Sequence, residues 1–254
     1  SLDWTIGGTI APPISGFLSE KIGWHIPMTI ASILFFVGII PVVSIKEEPI
    51  PTEPTDSPKN TNIKVPFLTT MLYFTYGFLT SSAQSMIGTM LPLFLNNQLK
   101  TTVTSIGLFF TASNIISSIV QVPGGLLADR YGRKKLIILF LLPLPLLYGL
   151  WGILDKWYAY LLIYVVSKGL LGMTGAASLA IVSEVFPEEK KGFAFGLSMA
   201  GARLGSAAGP LLGGYLYGSI GPSSPFRGAG IIFLSSIPFI YLLGRNKIES
   251  NLDP

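Results

Sequence analysis

Hydrophobic residues along the chain gather into long runs separated by short polar breaks. A helix needs about 20 residues to cross the hydrocarbon of a bilayer, and runs of that order fall at about 1–19, 25–45, 66–95, 102–122, 136–154, 157–184, 192–218 and 227–244. The pattern predicts an all-α polytopic membrane protein with seven complete spans and a clipped first one. The stretch from Lys46 to Lys64 interrupts it, being rich in proline and carrying Glu47, Glu48 and Glu53. It is too polar and too broken to span, so 46–65 is predicted to be a linker between two helical bundles.

Polarity differs from run to run. Those at 25–45, 136–154 and 227–244 hold few hydrogen-bonding side chains and are expected to face lipid all round, as supports. In the run at 66–95, Tyr73, Tyr76, Thr80 and Gln84 recur at spacings of three and four, which puts them on one helix face. Asn114, Ser118 and Gln121 do the same in the next run, and Tyr164, Lys168, Gly172 and Gly175 share a face in the run at 157–184. Lys168 lies about 16 Å along the helix from the outer end of its run. A lysine so deep costs about 2.5–3.5 kcal/mol or more unless it meets water or a partner. Lys168, Tyr76, Gln84, Thr80, Asn114 and Tyr164 are therefore the candidate substrate or coupling residues. Interhelical hydrogen bonding is the plain alternative for the Tyr76 and Asn114 stripes, and snorkelling for Lys168.

Composition agrees with a bilayer and narrows the chemistry. Half of the residues are hydrophobic, 12% are charged and the mean hydropathy is +0.59, against about 25% charge in a soluble domain. Without cysteine there are no disulfides or thiolate metal sites, and a single histidine, His25, rules out a histidine-cluster metal centre. Neither a metal nor a cofactor is expected. Nor is an enzyme, since no intramembrane carboxylate pair could act as acid and base. The pI near 9.2 does not signal nucleic acid, because the cations sit in short loops. Placing the 46–65 linker, the Gly124–Lys135 segment, the loop at Pro187 and the C-terminus on one side collects eleven Lys and Arg there against four on the other. The positive-inside rule makes the first side cytoplasmic in a multi-pass cell-membrane protein.

Gly124–Lys135, GGLLADRYGRKK, packs Asp129, Arg130, Arg133, Lys134 and Lys135 into seven residues between two apolar runs. It is expected to be a tight loop with a cationic tip, in which Asp129 accepts from free helix N–H groups and Arg133 offers a planar fork to a carboxylate. A second pattern is a repeat. Gly7–Gly23 laid under Gly205–Gly221, an offset of 198, matches at Gly7, Pro12, Gly16, Leu18, Ile22 and Gly23. The second copy carries Gly205, Gly209, Pro210, Gly213 and Gly214; the first has Ala11 and Ser15 for two of these glycines. Small residues let helices approach and Pro210 removes a backbone hydrogen bond, so this stretch is expected to be a seam along which two bundles rock. Arg203 lies one turn before it and Asp3 is at a related depth in the first copy, a conjectural pair.

The Gly124–Lys135 segment resembles the signature loop of the major facilitator superfamily, G-x-L-x-D-R-x-G-R-K, and both copies of the repeat resemble that family's G-x-x-x-G-P-x-x-G-G helix. The resemblance implies two six-span halves, with 1–45 the last two spans of the first bundle, 46–65 the cytoplasmic linker and 66–254 the second bundle. The sequence would then be about two-thirds of a twelve-span carrier, inactive by itself and monomeric when complete. It further implies a conformational switch built on Asp129, Arg130, Gly132 and Arg133, with Arg133 paired to Glu184, and a glycine pattern associated with drug and metabolite exporters.

The function implied is alternating-access secondary transport of a small organic solute, leaning to proton-coupled antiport that drives efflux. No Asp or Glu lies mid-span between 66 and 244, so coupling to protons would rest on Lys168, on Asp3 or on spans outside this sequence. A facilitator or symporter for sugar or organic-acid uptake remains open, as does a non-transporting receptor or assembly subunit.

Overall fold

The computed structural model describes residues 2–40, 67–154, 156–185 and 191–243. The expected linker at 46–65, the Pro187 loop and the C-terminal tail lie outside these residues. The described segments form helices α1 (Leu2–Lys21), α2 (His25–Val37), α3 (Phe67–Leu99), α4 (Val103–Tyr131), α5 (Arg133–Leu141), α6 (Leu144–Gly149), α7 (Trp157–Val185), α8 (Lys191–Ser219) and α9 (Ser224–Leu243). Proline cannot donate a helical hydrogen bond, and Pro143 and Pro145 split one span into α5 and α6. The result is eight spans, close to the runs read from the sequence. Three of them, α3, α4 and α9, are long and apolar enough to cross a membrane on length and composition alone.

The loop expected at Gly124–Lys135 is mostly helix. Helix α4 continues to Tyr131, and the break is one residue, Gly132, whose φ of 95° is open to glycine without strain. The apolar run ends at Val122, but helical hydrogen bonding continues without it, so Asp129 and Arg130 ride on the last turn of α4. Asp129 does not cap α5, whose N-cap is Gly132 and whose first turn has no side-chain cap.

The tightest contact lies between α8 and α3. Gly201, Gly205, Gly209 and Gly213 recur every four residues along α8 and meet Phe74, Phe78, Ser82 and Met86, which recur every four along α3. A Cβ at Gly201 would lie 2.7 Å from the Phe74 carbonyl oxygen, one at Gly213 2.8 Å from Met86 Cγ, and those at Gly205 and Gly209 would collide with the carbonyls of Phe78 and Ser82. Gly205, Gly209 and Gly213, expected at a seam between bundles, pack on α3 among the described residues. Pro210 sits off this face, Gly214 meets nothing within 4 Å and Arg203 is exposed.

Helices α4 and α7 form a second close pair. A Cβ at Gly124 would lie 2.6 Å from Met173 Cα, and one at Gly172 2.6 Å from the Ser117 carbonyl oxygen. Opposite the basic loops, the ends of α3, α6, α7 and α9 close over an aromatic cluster. Trp151 stacks on Phe226 at 4.3 Å, Phe94 stands edge-on to Tyr160 at 5.2 Å, and Arg227 Nε donates to the Trp151 carbonyl at 3.1 Å. Each ring pair adds about 0.5–1.5 kcal/mol beyond its buried area.

Of the three runs expected to face lipid all round, only α2 has no buried residue among the described residues. Leu136, Ile137, Leu141 and Tyr148 of α5–α6, and Phe226, Phe233 and Ile240 of α9, are buried. A run without polar side chains can face either lipid or a protein core, and only its neighbours decide which.

The repeat is visible in the backbone. The amides of Ile22 and Gly23 both donate to the Leu18 carbonyl, at 2.9 and 3.2 Å, and those of Ile220 and Gly221 to Leu216, at 3.0 and 3.2 Å. Ile26 N to Gly23 O has its counterpart in Ser224 N to Gly221 O. Both turns pivot on glycine at positive φ, 107° at Gly23 and 141° at Gly221.

Gly209→Val should destabilise the protein by about 1–3 kcal/mol through overpacking, while Gly214→Val, next to the contact residue Gly213 but on an open face, should be near neutral. Thermal unfolding in detergent separates the two; equal effects would remove the α8–α3 contact as the cause.

Candidate functional site

Polar side chains from three helices converge on a cavity of about 290 Å³. Helix α3 supplies Tyr73, Tyr76, Thr80 and Gln84, helix α7 supplies Thr174 and Ser178, and helix α8 supplies Ser198 and Met199. Tyr73 and Ser178 both lie near the ends of their helices that share a side with Gly132, so the cavity occupies the half of the membrane facing the basic loops.

The tyrosines are held across a gap. Tyr73 Oη donates to the Ser178 carbonyl at 2.9 Å, and Tyr76 Oη is 3.2 Å from Ser178 Oγ. Among the described residues α3 packs mainly on α8 and α9, and α7 on α4, so these hydroxyls, with the Phe94–Tyr160 ring contact at the other end, join α3 to α7. Thr80 Oγ1 donates back to the Tyr76 carbonyl at 2.8 Å, which leaves its lone pairs for the cavity. Gln84 reaches the wall with no hydrogen-bond partner among the described residues.

The sequence-predicted set separates here. Tyr76, Thr80 and Gln84 share the cavity; Asn114, Tyr164 and Lys168 do not line it. Asn114 Nδ2 donates to the Gly8 carbonyl of α1 at 2.6 Å, the interhelical bond that was the plain alternative for it. Tyr164 is 1% exposed, with Phe110 edge-on at 6.2 Å. Lys168 points Nζ over the Tyr164 ring, 5.7 Å from its centre, and has no ion-pair partner among the described residues. The sequence reading missed Ser178, Thr174 and Ser198. A serine in a transmembrane run usually bonds back to its own helix, and nothing local marks Ser178 as the residue two tyrosines reach.

The charge cluster at Gly132 is assembled as a unit. Arg133 Nε and Nη2 lie 3.3 and 3.1 Å from Asp129 Oδ1, and Nη1 donates to the Ala180 carbonyl of α7 at 2.9 Å. Arg133 thus ties the α4–α5 junction to the last turns of α7, beside a cavity of about 130 Å³. The expected Glu184 partner falls on a side chain outside the described residues. Lys134 Nζ sits 4.5 Å from the centre of the Tyr241 ring of α9, while Arg130 turns outward over Tyr131. No group of three or more His, Cys, Asp or Glu able to hold a metal occurs among the described residues.

Eight helical spans, a neutral hydroxyl-lined cavity in one half of the membrane and an arginine-centred junction beside it define a multi-pass helical membrane protein. Its sequence from residue 73 to 253 matches the Major Facilitator Superfamily, and the chain belongs to that family. It is 31% identical over 180 residues to Multidrug resistance protein MdtG of Klebsiella pneumoniae (strain 342), covering 67% of this chain and 42% of that one. To Multi-drug resistance efflux pump PmrA of Streptococcus pneumoniae serotype 4 it is 28% identical over 164 residues, 63% of this chain and 41% of that one. The chain thus spans less than half the length of these curated relatives. A crystal structure of a bacterial homologue of the iron transporter ferroportin, in an inward-facing state, shares the fold with a TM-score of 0.64 at 18% identity, over 94% of this chain and 59% of that one.

Asn114→Ala leaves the Gly8 carbonyl without its donor and should cost about 0.6–2 kcal/mol, seen as a lower midpoint of thermal unfolding in detergent. Gln84→Ala removes no protein hydrogen bond and should leave that midpoint in place.

Proposed function

We propose that this protein exports small organic solutes across the cell membrane by alternating access, with its C-terminus in the cytoplasm and residues 66–254 forming one of two bundles joined by the 46–65 linker. The observation that carries this is the cavity walled by Tyr76, Thr80, Gln84 and Ser178 in a chain whose relatives MdtG and PmrA are named as multidrug proteins. The wall is neutral and partly aromatic. It suits a solute held by ring stacking and a few hydrogen bonds, with loose demands on shape. Breaking the tyrosine bridge to Ser178 opens this cavity between α3 and α7.

Lys168 is the coupling residue on this proposal. It is a cation inside a span, set over an aromatic face, and lies one helical turn from Leu171 and two from Gly175 on the cavity wall. A lysine that gives up its proton on one side and regains it on the other can exchange a proton for the solute. Arg133, braced by Asp129 and Ala180, is the switch on the basic-loop side, holding α7 to the α4–α5 junction in one state and releasing it in the other. A monomer suffices for this cycle.

The test is efflux from proteoliposomes of the full-length protein under an imposed pH gradient, with dyes, sugars and organic acids as solutes. Gradient-driven flux is expected, reduced about tenfold, or about 1.4 kcal/mol in barrier, by Lys168→Ala, with Gln84→Ala raising KM at little cost in maximal rate. Downhill flux indifferent to the gradient would make the protein a facilitator and remove Lys168 from coupling. An absence of flux for every solute would overturn transport itself.

A further inference from the structure

Among the described residues α1 packs on α4 and, slightly, on α2, and on nothing else to any extent. Its line of contact is ordered and antiparallel. Asn114 meets Gly8, Thr111 Oγ1 donates to the Thr9 carbonyl at 2.9 Å, a Cβ at Gly107 would lie 2.7 Å from the Pro12 carbonyl oxygen, and Gly16 rests against Val103 and Thr104. At the end away from the basic loops, Glu20 closes the line. Its Oε1 accepts from the Thr104 amide at 3.0 Å and its Oε2 from Thr104 Oγ1 at 2.6 Å.

That amide is one of the donors left over at the start of a helix. Helix α4 caps itself once, through Thr102 Oγ1 accepting from the Ser105 amide at 3.2 Å. The Thr104 amide is satisfied from another helix, 84 residues earlier in the chain. A carboxylate there also lies at the positive end of the α4 dipole. Helix α1 therefore supplies a cap that α4 lacks, and can supply it only while the two helices lie together at this end.

We propose that Glu20 is an outer latch, holding the α1 side of the protein against the N-terminus of α4 while the basic-loop side is free to open. This rests on the alternating-access reading above and gives that cycle a device at the opposite membrane face from Arg133. The groups facing the carboxylate from α4 are Thr102, Val103 and Thr104, none of them charged, and Lys21 is its neighbour on α1. Glu20 has no ion-pair partner among the described residues. The hydrogen bonds from Thr104 hold its carboxyl below the ordinary glutamate range. With the folded value depressed, the latch is complete at neutral pH and is lost only as pH falls through that lowered value. It is opened by movement of the helices, and the outer pH in its working range leaves it alone.

The 254-residue sequence has no cysteine, so with any cysteine elsewhere in the full-length protein replaced by serine, single thiols report cleanly. Ser19, 9% exposed, lies one residue from the latch on the wall of the crevice between α1, α3 and α4, and Ala202 lies on the wall of the cavity on the other side. In the full-length protein in membranes, labelling of Ser19→Cys by an impermeant maleimide from outside should speed at least fivefold with Glu20→Gln. Thr104→Val should speed it less, since the backbone donor remains, and Glu20→Asp should bring the rate part of the way back. Labelling of Ala202→Cys from inside should slow in the same variants, whereas a protein that had merely loosened would label faster at both. Unchanged Ser19→Cys labelling in Glu20→Gln, or faster labelling at both thiols, overturns the latch. Flux and labelling fail separately: normal flux with unmoved labelling removes the latch alone, and shifted labelling without flux of any solute removes the transport reading and leaves the latch.

Discussion

The structure depends on how closely α8 can lie on α3. Four glycines spaced by one helical turn let the two helices close, with carbonyls of α3 where Cβ atoms would stand at Gly201, Gly205 and Gly209 and the Met86 side chain against Gly213. In lipid there is little hydrophobic gain in joining two helices, so such contact must come from packing and dispersion. The cost of closeness is visible at Ser82, whose buried hydroxyl has no hydrogen-bond partner among the described residues. Because α8 is fixed on α3, Ser198 and Met199 arrive beside Tyr76 and Thr80, and α7 completes a cavity that neither helix could form alone.

Number and placement of spans were legible in the sequence because a bilayer imposes one length on every apolar run. Helix ends were less so. The break at Gly132 was read as a long loop because hydrophobicity stops at Val122, yet a helix emerging from the membrane can continue on charged residues. The all-round lipid exposure expected of α5–α6 and α9 failed for a related reason. Apolar residues carry no label that distinguishes lipid from core, and the aromatic cluster on which those helices pack comes from four separate stretches of chain.

Site residues were legible in proportion to how local their pattern is. The Tyr76, Thr80 and Gln84 stripe follows from helix periodicity and stays together in the fold. Asn114 follows from the same periodicity, yet its amide is engaged by a carbonyl of α1, since a stripe says that a face is polar and not what meets it. Glu20 and Ser178 had no pattern at all. Each acts on a residue at least 84 positions away, a relation set by tertiary structure alone. The arginine junction held together better, because Asp129 and Arg133 are one turn apart and bond across Gly132.

The two copies of the repeated helix put small residues to two uses. On α8 the glycine column at 201, 205, 209 and 213 binds α3. On α1 a different column, Gly8, Pro12 and Gly16, binds α4. Two of those three residues are unchanged in the other copy, as Pro210 and Gly214, while the column corresponding to Gly209 and Gly213 has drifted to Ala11 and Ser15. A single helix thus presents two separate faces of small residues, and each copy uses a different one to hold its neighbour. The two faces vary independently: the one that grips α3 is all glycine in one copy and holds Ala11 and Ser15 in the other, whereas Pro210 and Gly214 keep on α8 the residues with which α1 meets α4.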